Sequence, residues 1–253
     1  ISFLGLALTG MPLKYSDTPW ASWFVAALGG IRMTSALHRI CAALTFGYFL
    51  THLAHIAYRV LVKREKGLLY GPDSMTPRFK DFEDLHRVLL WFFGKGQKPR
   101  FDRWAYWEKF DYWAVFWGLA IIGSSGLVMA FPVFFTTLLP GWAINVALIV
   151  HSDEALLAVG FIFAIHFFNT HLKPEKYPLD TVFYTGRLPL HQYERDHPAE
   201  LARLRSEGRL EERLIPAPAQ QLLGEALLFG VIVVGIGLML LVLILATEFP
   251  VYR

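Results

Sequence analysis

Four stretches of the chain, 36–62, 110–131, 141–168 and 222–247, are apolar almost from end to end. Each is long enough to cross a bilayer as an α-helix, which takes ~20 residues at ~1.5 Å rise. A fifth apolar stretch, "ISFLGLALTGMPL", opens the chain and has only 13 residues. As a helix it reaches ~20 Å against a bilayer core of ~30 Å. It lacks the charged leader of a signal peptide and reads as the outer half of a membrane helix that starts before Ile1. The pattern predicts an all-α integral membrane helical bundle of five transmembrane helices, the first truncated.

Between the spans lie two polar segments, 60–107 and 172–221. The first contains "FKDFEDLHRVLLWFF" (79–93), whose early charges and apolar remainder suit a helix lying on the membrane surface. The second contains "HPAELARLRSEGRLEERL" (197–214), where Pro198 suits the first turn of a short charged helix. The expected organisation is a transmembrane domain over 1–180 with the loop 60–107, a cytoplasmic helical segment over 181–221, and a last span with a short outer tail over 222–253.

Composition strengthens the membrane reading. Of 253 residues, 55% are hydrophobic and 15% aromatic, too apolar for an ordinary soluble domain. Lys and Arg mark the cytoplasmic side. Segment 60–107 carries Lys63, Arg64, Lys66, Arg78, Lys80, Arg87, Lys95, Lys98, Arg100 and Arg103, and segment 172–221 carries Lys173, Lys176, Arg187, Arg195, Arg203, Arg205, Arg209 and Arg213. Segment 132–150 carries none, and the tail only Arg253. Both polar segments are therefore expected in the cytoplasm and the tail outside. The net charge of +3 reflects this orientation. No basic stripe with interleaved aromatics points to nucleic acid.

The one cysteine, Cys41, excludes a disulfide framework and a covalent haem attachment motif, so any haem is held non-covalently. The candidate chemistry lies in the histidines. His38 and His52 share the second span and His151 and His166 the fourth; ionisable residues inside a membrane are functional candidates. On a regular helix His38 and His52 differ by about 40° around the axis and ~21 Å along it, and His151 and His166 by about 60° and ~22 Å. The two helices run the same way, so His38 is level with His151 and His52 with His166. Two facing imidazole pairs, one near each membrane surface, suit two bis-histidine haems. The same faces carry Cys41, Ala42 and Thr45, all small, then Ala155, Ala158 and Ile162, which leave room for a porphyrin. His55 and His171 turn away from these faces at the cytoplasmic ends.

The stretches "LALTGMPLKYSD", "HRICAALTFGYFLTH", "EKFDYWAVFWGLAIIGSSGLVMAFP" and "HSDEALLAVGFIFAIHFFNTHLKPEKYPLD" carry a resemblance. Over residues 6–180 the chain resembles the bacterial di-haem cytochrome b subunits of membrane formate dehydrogenases and related quinone-reactive cytochromes. The resemblance implies a helical bundle in the bacterial inner membrane with two haems b. These link quinone to a partner redox subunit such as a multihaem cytochrome or an iron–sulfur protein. His38 and His151 match the outer haem's ligands, and His166 one ligand of the inner haem. The family's other inner ligand lies early in the first helix, at a position upstream of Ile1, which leaves His52 as the in-chain candidate.

Arg39 is a candidate partner for the outer haem propionates, and Arg59 and Lys173 for the inner ones. The resembling family's quinone site is at the cytoplasmic end. There Glu108 and His171 are the candidate proton-exchanging groups, with Tyr106 and Trp107 to flank a ring. Two other classes compete. A histidine-box metal enzyme is suggested by "HLAH" (52–55), but such enzymes cluster their histidines at one depth. A metal-ion transporter predicts Asp or Glu near the midplane, which the predicted spans lack.

Overall fold

The computed structural model of the protein describes residues 1–249, so the short tail and Arg253 lie outside the described residues. These residues form an all-α membrane bundle without a strand. The helices are α1 (Ser2–Lys14), α2 (Pro19–Ala27), α3 (Ile31–Ala57), α4 (Phe79–Phe92), α5 (Tyr106–Ala130), α6 (Pro132–Phe135), α7 (Trp142–Gly160), α8 (Val182–Thr185), α9 (Leu190–Asp196), α10 (Pro198–Ser206) and α11 (Gln220–Glu248).

Among the described residues, four continuous rods are long and apolar enough to cross a membrane: Ile31–Val62, Tyr106–Ala130, Trp142–Leu172 and Gln220–Glu248. Each contains or closely matches one predicted apolar stretch. Three of the rods begin earlier than their apolar runs, and the Trp142–Leu172 rod ends later, because helix geometry continues into their polar ends. In the most apolar window of the α3 rod only 6% of residues are buried within the protein. Most of that window is therefore not covered by this chain's own core.

Two rods end in wide π turns. Tyr58–Val62 closes the α3 rod, and Phe161–His166 and Phe168–Leu172 close the α7 rod. A π turn bonds i to i+5 and so takes in an extra residue. Side chains beyond it are rotated relative to a regular helix. The uniform 100° step used for His166 and His171 therefore fails past Gly160.

The chain divides into two units built from interleaved segments. The first comprises Ile1–His52, Phe116–Asp180 and the stretch from Leu227 on. Its core joins α1, α7 and α11 through Ala7, Met11, Val159, Phe163, Phe167, Val234, Leu240 and Ile244. A β-carbon on Gly237 would sit 2.7 Å from the rings of both Phe163 and Phe167, so only glycine lets α11 lie this close to them. At the end of α1, Tyr15 donates to Glu248 at 2.7 Å and the Trp20 indole to Thr247 at 3.0 Å. Lys14 pairs with Asp153 of α7 at 2.8 Å. Thr18 caps α2, with Pro19 in its first turn, a position that needs no backbone donor.

The second unit comprises Leu53–Val115 and Thr181–Ala226, which brings the two polar segments together. The Phe101 carbonyl accepts from Ala199 at 3.0 Å, and the Asp102 carbonyl from His197 Nδ1 at 2.9 Å. Arg203 pairs with Asp73 at 2.5 Å and Asp102 at 3.3 Å, and Arg103 with buried Glu200 at 3.3 Å. Burial and a hydrogen bond to Glu200 push the Tyr193 phenol above its ordinary range. Lys109 is fully buried and lies 2.9 Å from Asp81. Asp81 also accepts from the Arg78 N–H at 2.6 Å, capping α4. Helix α4 turns Asp81 and Asp84 inward and leaves Phe79, Phe82, Leu89 and Phe92 exposed.

Candidate functional site

Helices α3 and α7 bring one imidazole each to a common point in the first unit. The His38 and His151 ring centres are 6.2 Å apart and their planes differ by 72°. His38 lies seven residues into its rod and His151 nine into its own, so the predicted equality of depth holds for this pair. An iron bonded at about 2 Å to one nitrogen of each ring requires ring centres about 6 Å apart. The observed separation fits a metal between them.

The remaining nitrogens are occupied. His38 Nδ1 lies 2.9 Å from Thr9 Oγ1 on α1. His151 Nδ1 lies 2.9 Å from the Ile122 carbonyl and 3.3 Å from Ser125 Oγ on α5. In imidazole the two nitrogens point in widely different directions, so engaging Nδ1 leaves Nε2 for a ligand. Two glycines press on the rings. A β-carbon on Gly10 would stand 3.1 Å from His38 Cε1, and one on Gly126 would stand 3.0 Å from His151 Cε1. Each imidazole is thus seated against a hydroxyl–glycine dipeptide, Thr9–Gly10 or Ser125–Gly126, on a neighbouring helix.

Neither Thr9–Gly10 nor Ser125–Gly126 is among the candidate residues that the sequence singles out. The signal was there, since the same pair of residue types occurs twice, but each partner lies 25 or more residues from its histidine. Cys41 and Thr45, read as room for a porphyrin, instead meet α1. A β-carbon on Gly5 would come within 2.6 Å of Cys41 Sγ, and Thr45 donates to Ser2 Oγ at 3.0 Å.

The inner candidates stand as follows. His52 is exposed on α3, with its ring 6.3 Å from Phe116 in an edge arrangement. His166 ends the first π segment of the α7 rod, its ring 6.3 Å from that of Phe167. His171, half-buried, meets Phe167 edge-on at 6.0 Å. Lys173 follows the helix end, half-buried. Arg39 is exposed one residue after His38.

Arg59 and Glu108 belong to the second unit. The Arg59 guanidinium is held by Glu65 at 2.5 Å, which also keeps the Glu65 carboxyl below its usual range. One oxygen of Glu108 accepts from the Ala105 N–H at 2.7 Å, so it caps the start of α5, where an acidic side chain also complements the helix dipole.

The expectation that the spans lack acidic residues near the midplane does not hold. Asp153 and Glu154 lie inside the rod Trp142–Leu172, about 17 Å along it, so acidic residues do occur near the middle of a span. Both are paired on the protein's surface: Asp153 by Lys14, and Glu154 by the Trp117 indole at 3.0 Å. Among the described residues no group of three or more His, Cys, Asp or Glu side chains is arranged to hold a metal ion. Compared with known proteins, the chain matches no family model, no curated protein and no solved structure.

Proposed function

We propose that the protein is the membrane cytochrome b subunit of a quinone-linked electron-transfer complex. His38 and His151 would be the axial ligands of an outer haem b held non-covalently. The observation that carries the reading is the 6.2 Å separation of these two rings, together with the engagement of both Nδ1 atoms. A haem iron takes one nitrogen from each side, and its axial ligands and burial set its potential. His166 with His52, or with a histidine preceding Ile1, would hold an inner haem. Bound haem supplies one-electron redox chemistry; the chain supplies ligands, spacing and a low-dielectric surround.

The reading extends to orientation and partners. The Lys/Arg pattern supports a cytoplasmic side for the second unit's loops, and the resemblance to bacterial cytochromes b supports a bacterial inner membrane with the C-terminus in the periplasm. The exposed apolar side of α4 would meet lipid. Arg39 is the candidate for outer propionates. Lys173 serves better than Arg59 for the inner ones, since Arg59 already pairs with Glu65. Quinone exchange belongs to the inner side. His171 is retained there as a proton-exchanging group; Glu108 is the weaker candidate because one of its oxygens caps α5. Electrons pass on to a partner redox subunit.

The test is spectroscopic. Purified protein should show a reducible low-spin haem b spectrum, and pyridine-haem quantitation should give two haems per chain. A preparation made with full haem supply that folds but carries no haem would overturn the proposal.

A further inference from the structure

We infer that Thr9 and Ser125 are positioning residues that fix both outer imidazoles with the proton on Nδ1 and thereby set the outer site's redox potential. This inference rests on the haem reading above.

The hydrogen-bond directions follow from chemistry on both sides. The Thr9 hydroxyl donates its only proton to the Gly5 carbonyl at 2.6 Å. Its oxygen can then only accept from His38 Nδ1, 2.9 Å away. The Ser125 hydroxyl donates to the Ile121 carbonyl at 2.7 Å, so toward His151 Nδ1 at 3.3 Å it too can only accept. The Ile122 carbonyl, 2.9 Å from the same nitrogen, has no proton to give. With the hydroxyl protons so directed, both Nδ1 atoms are donors, and both Nε2 atoms carry the lone pair that a metal ligand needs. Gly10 and Gly126 let the helices approach closely enough for these contacts, since a β-carbon at either would crowd the ring.

The two sides are unequal. The Leu6 carbonyl is also within reach of His38, but the hydroxyl is the well-formed contact. His151 keeps a carbonyl acceptor at 2.9 Å even without Ser125. A donor bond from Nδ1 raises the basicity of the ligating ring. A more basic ligand favours the oxidised, more positive iron and lowers the potential. Loss of the Thr9 oxygen should thus raise the outer midpoint, and loss of the Ser125 oxygen should do so less.

The experiment is a redox titration of the purified wild type and of Thr9→Val, Thr9→Ser and Ser125→Ala, with low-temperature EPR of the oxidised samples. Thr9→Val keeps the branched shape and removes the acceptor. It should move one midpoint upward, shift one low-spin EPR signal and leave the other haem unchanged. Thr9→Ser should restore both readouts, and Ser125→Ala should give a smaller upward shift of the same haem. Unchanged midpoints in Thr9→Val and Ser125→Ala, or an equal shift of both haems, would overturn the inference while leaving the haem reading standing. Absence of haem from the wild type would instead overturn the reading itself. If Thr9→Val does not fold, Ser125→Ala alone decides between a shift confined to one haem and none.

Discussion

At the scale of single residues, the imidazoles were legible and their seats were not. A histidine inside an apolar run stands out by its type, and equal depth can be counted along two parallel helices. The neighbours that orient it are ordinary Thr, Ser and Gly residues, 25 or more positions away in sequence, and only packing reveals which of many such residues matter. Gly126 shows the consequence. Its missing β-carbon leaves about van der Waals room for His151 Cε1, and overpacking at such a point costs about 1–3 kcal/mol. Gly126→Val should therefore push the His151 ring aside and lower outer haem occupancy, while Gly126→Ala has a weaker effect. Haem content per folded chain measures both; full occupancy in Gly126→Val would mean that this glycine does not seat the ring.

At the scale of elements, hydropathy located every long rod because a bilayer span needs length and apolar composition, both of which are written in the sequence. The π turns that end the α3 and α7 rods were illegible. One extra residue in a hydrogen-bond ring leaves no mark on composition, yet it rotates everything beyond it. The predicted faces held for His38 and His151, which precede the π turns, and lost their basis for His166 and His171. Close packing of α11 was equally hidden. Gly237 is one glycine among many apolar residues, but Phe163 and Phe167 fill the space where its side chain would be. Gly237→Leu should separate α11 from the α7 rod and destabilise the protein by at least about 1–3 kcal/mol. Thermal unfolding in detergent, followed by circular dichroism, should show a lower midpoint; an unchanged midpoint would mean that the helices re-pack without cost.

At the scale of the whole molecule, the alternation of charged segments was plain, whereas the joining of 53–115 with 181–226 into one unit was not. Charge runs of this kind usually mark solvated faces, and nothing in their spacing pairs Arg203 with Asp73 and Asp102. Lys109 is the sharpest case: a basic residue at the start of an apolar helix reads as interfacial, but it is buried against Asp81. Lys109→Met leaves the Asp81 carboxylate buried without its counter-ion, a change that costs about 3–5 kcal/mol. Adding Asp81→Asn removes that charge while keeping an oxygen for the Arg78 N–H, so the double variant should recover most of the loss. Limited proteolysis of segment 60–107 reports on this: faster cleavage in the single variant and near wild-type cleavage in the double. Equal cleavage in all three would show that the pair does not hold the unit together.

The central claim, that His38 and His151 clasp one haem, is tested most directly by counting haems in His38→Ala and His151→Ala. Each variant, purified as the folded membrane protein, should lose one haem from the pyridine-haem count. Both should lose the same low-spin EPR signal and retain the other. If either variant keeps both haems with unchanged bis-histidine signals, or if the two variants lose different haems, His38 and His151 are not ligands of a common iron.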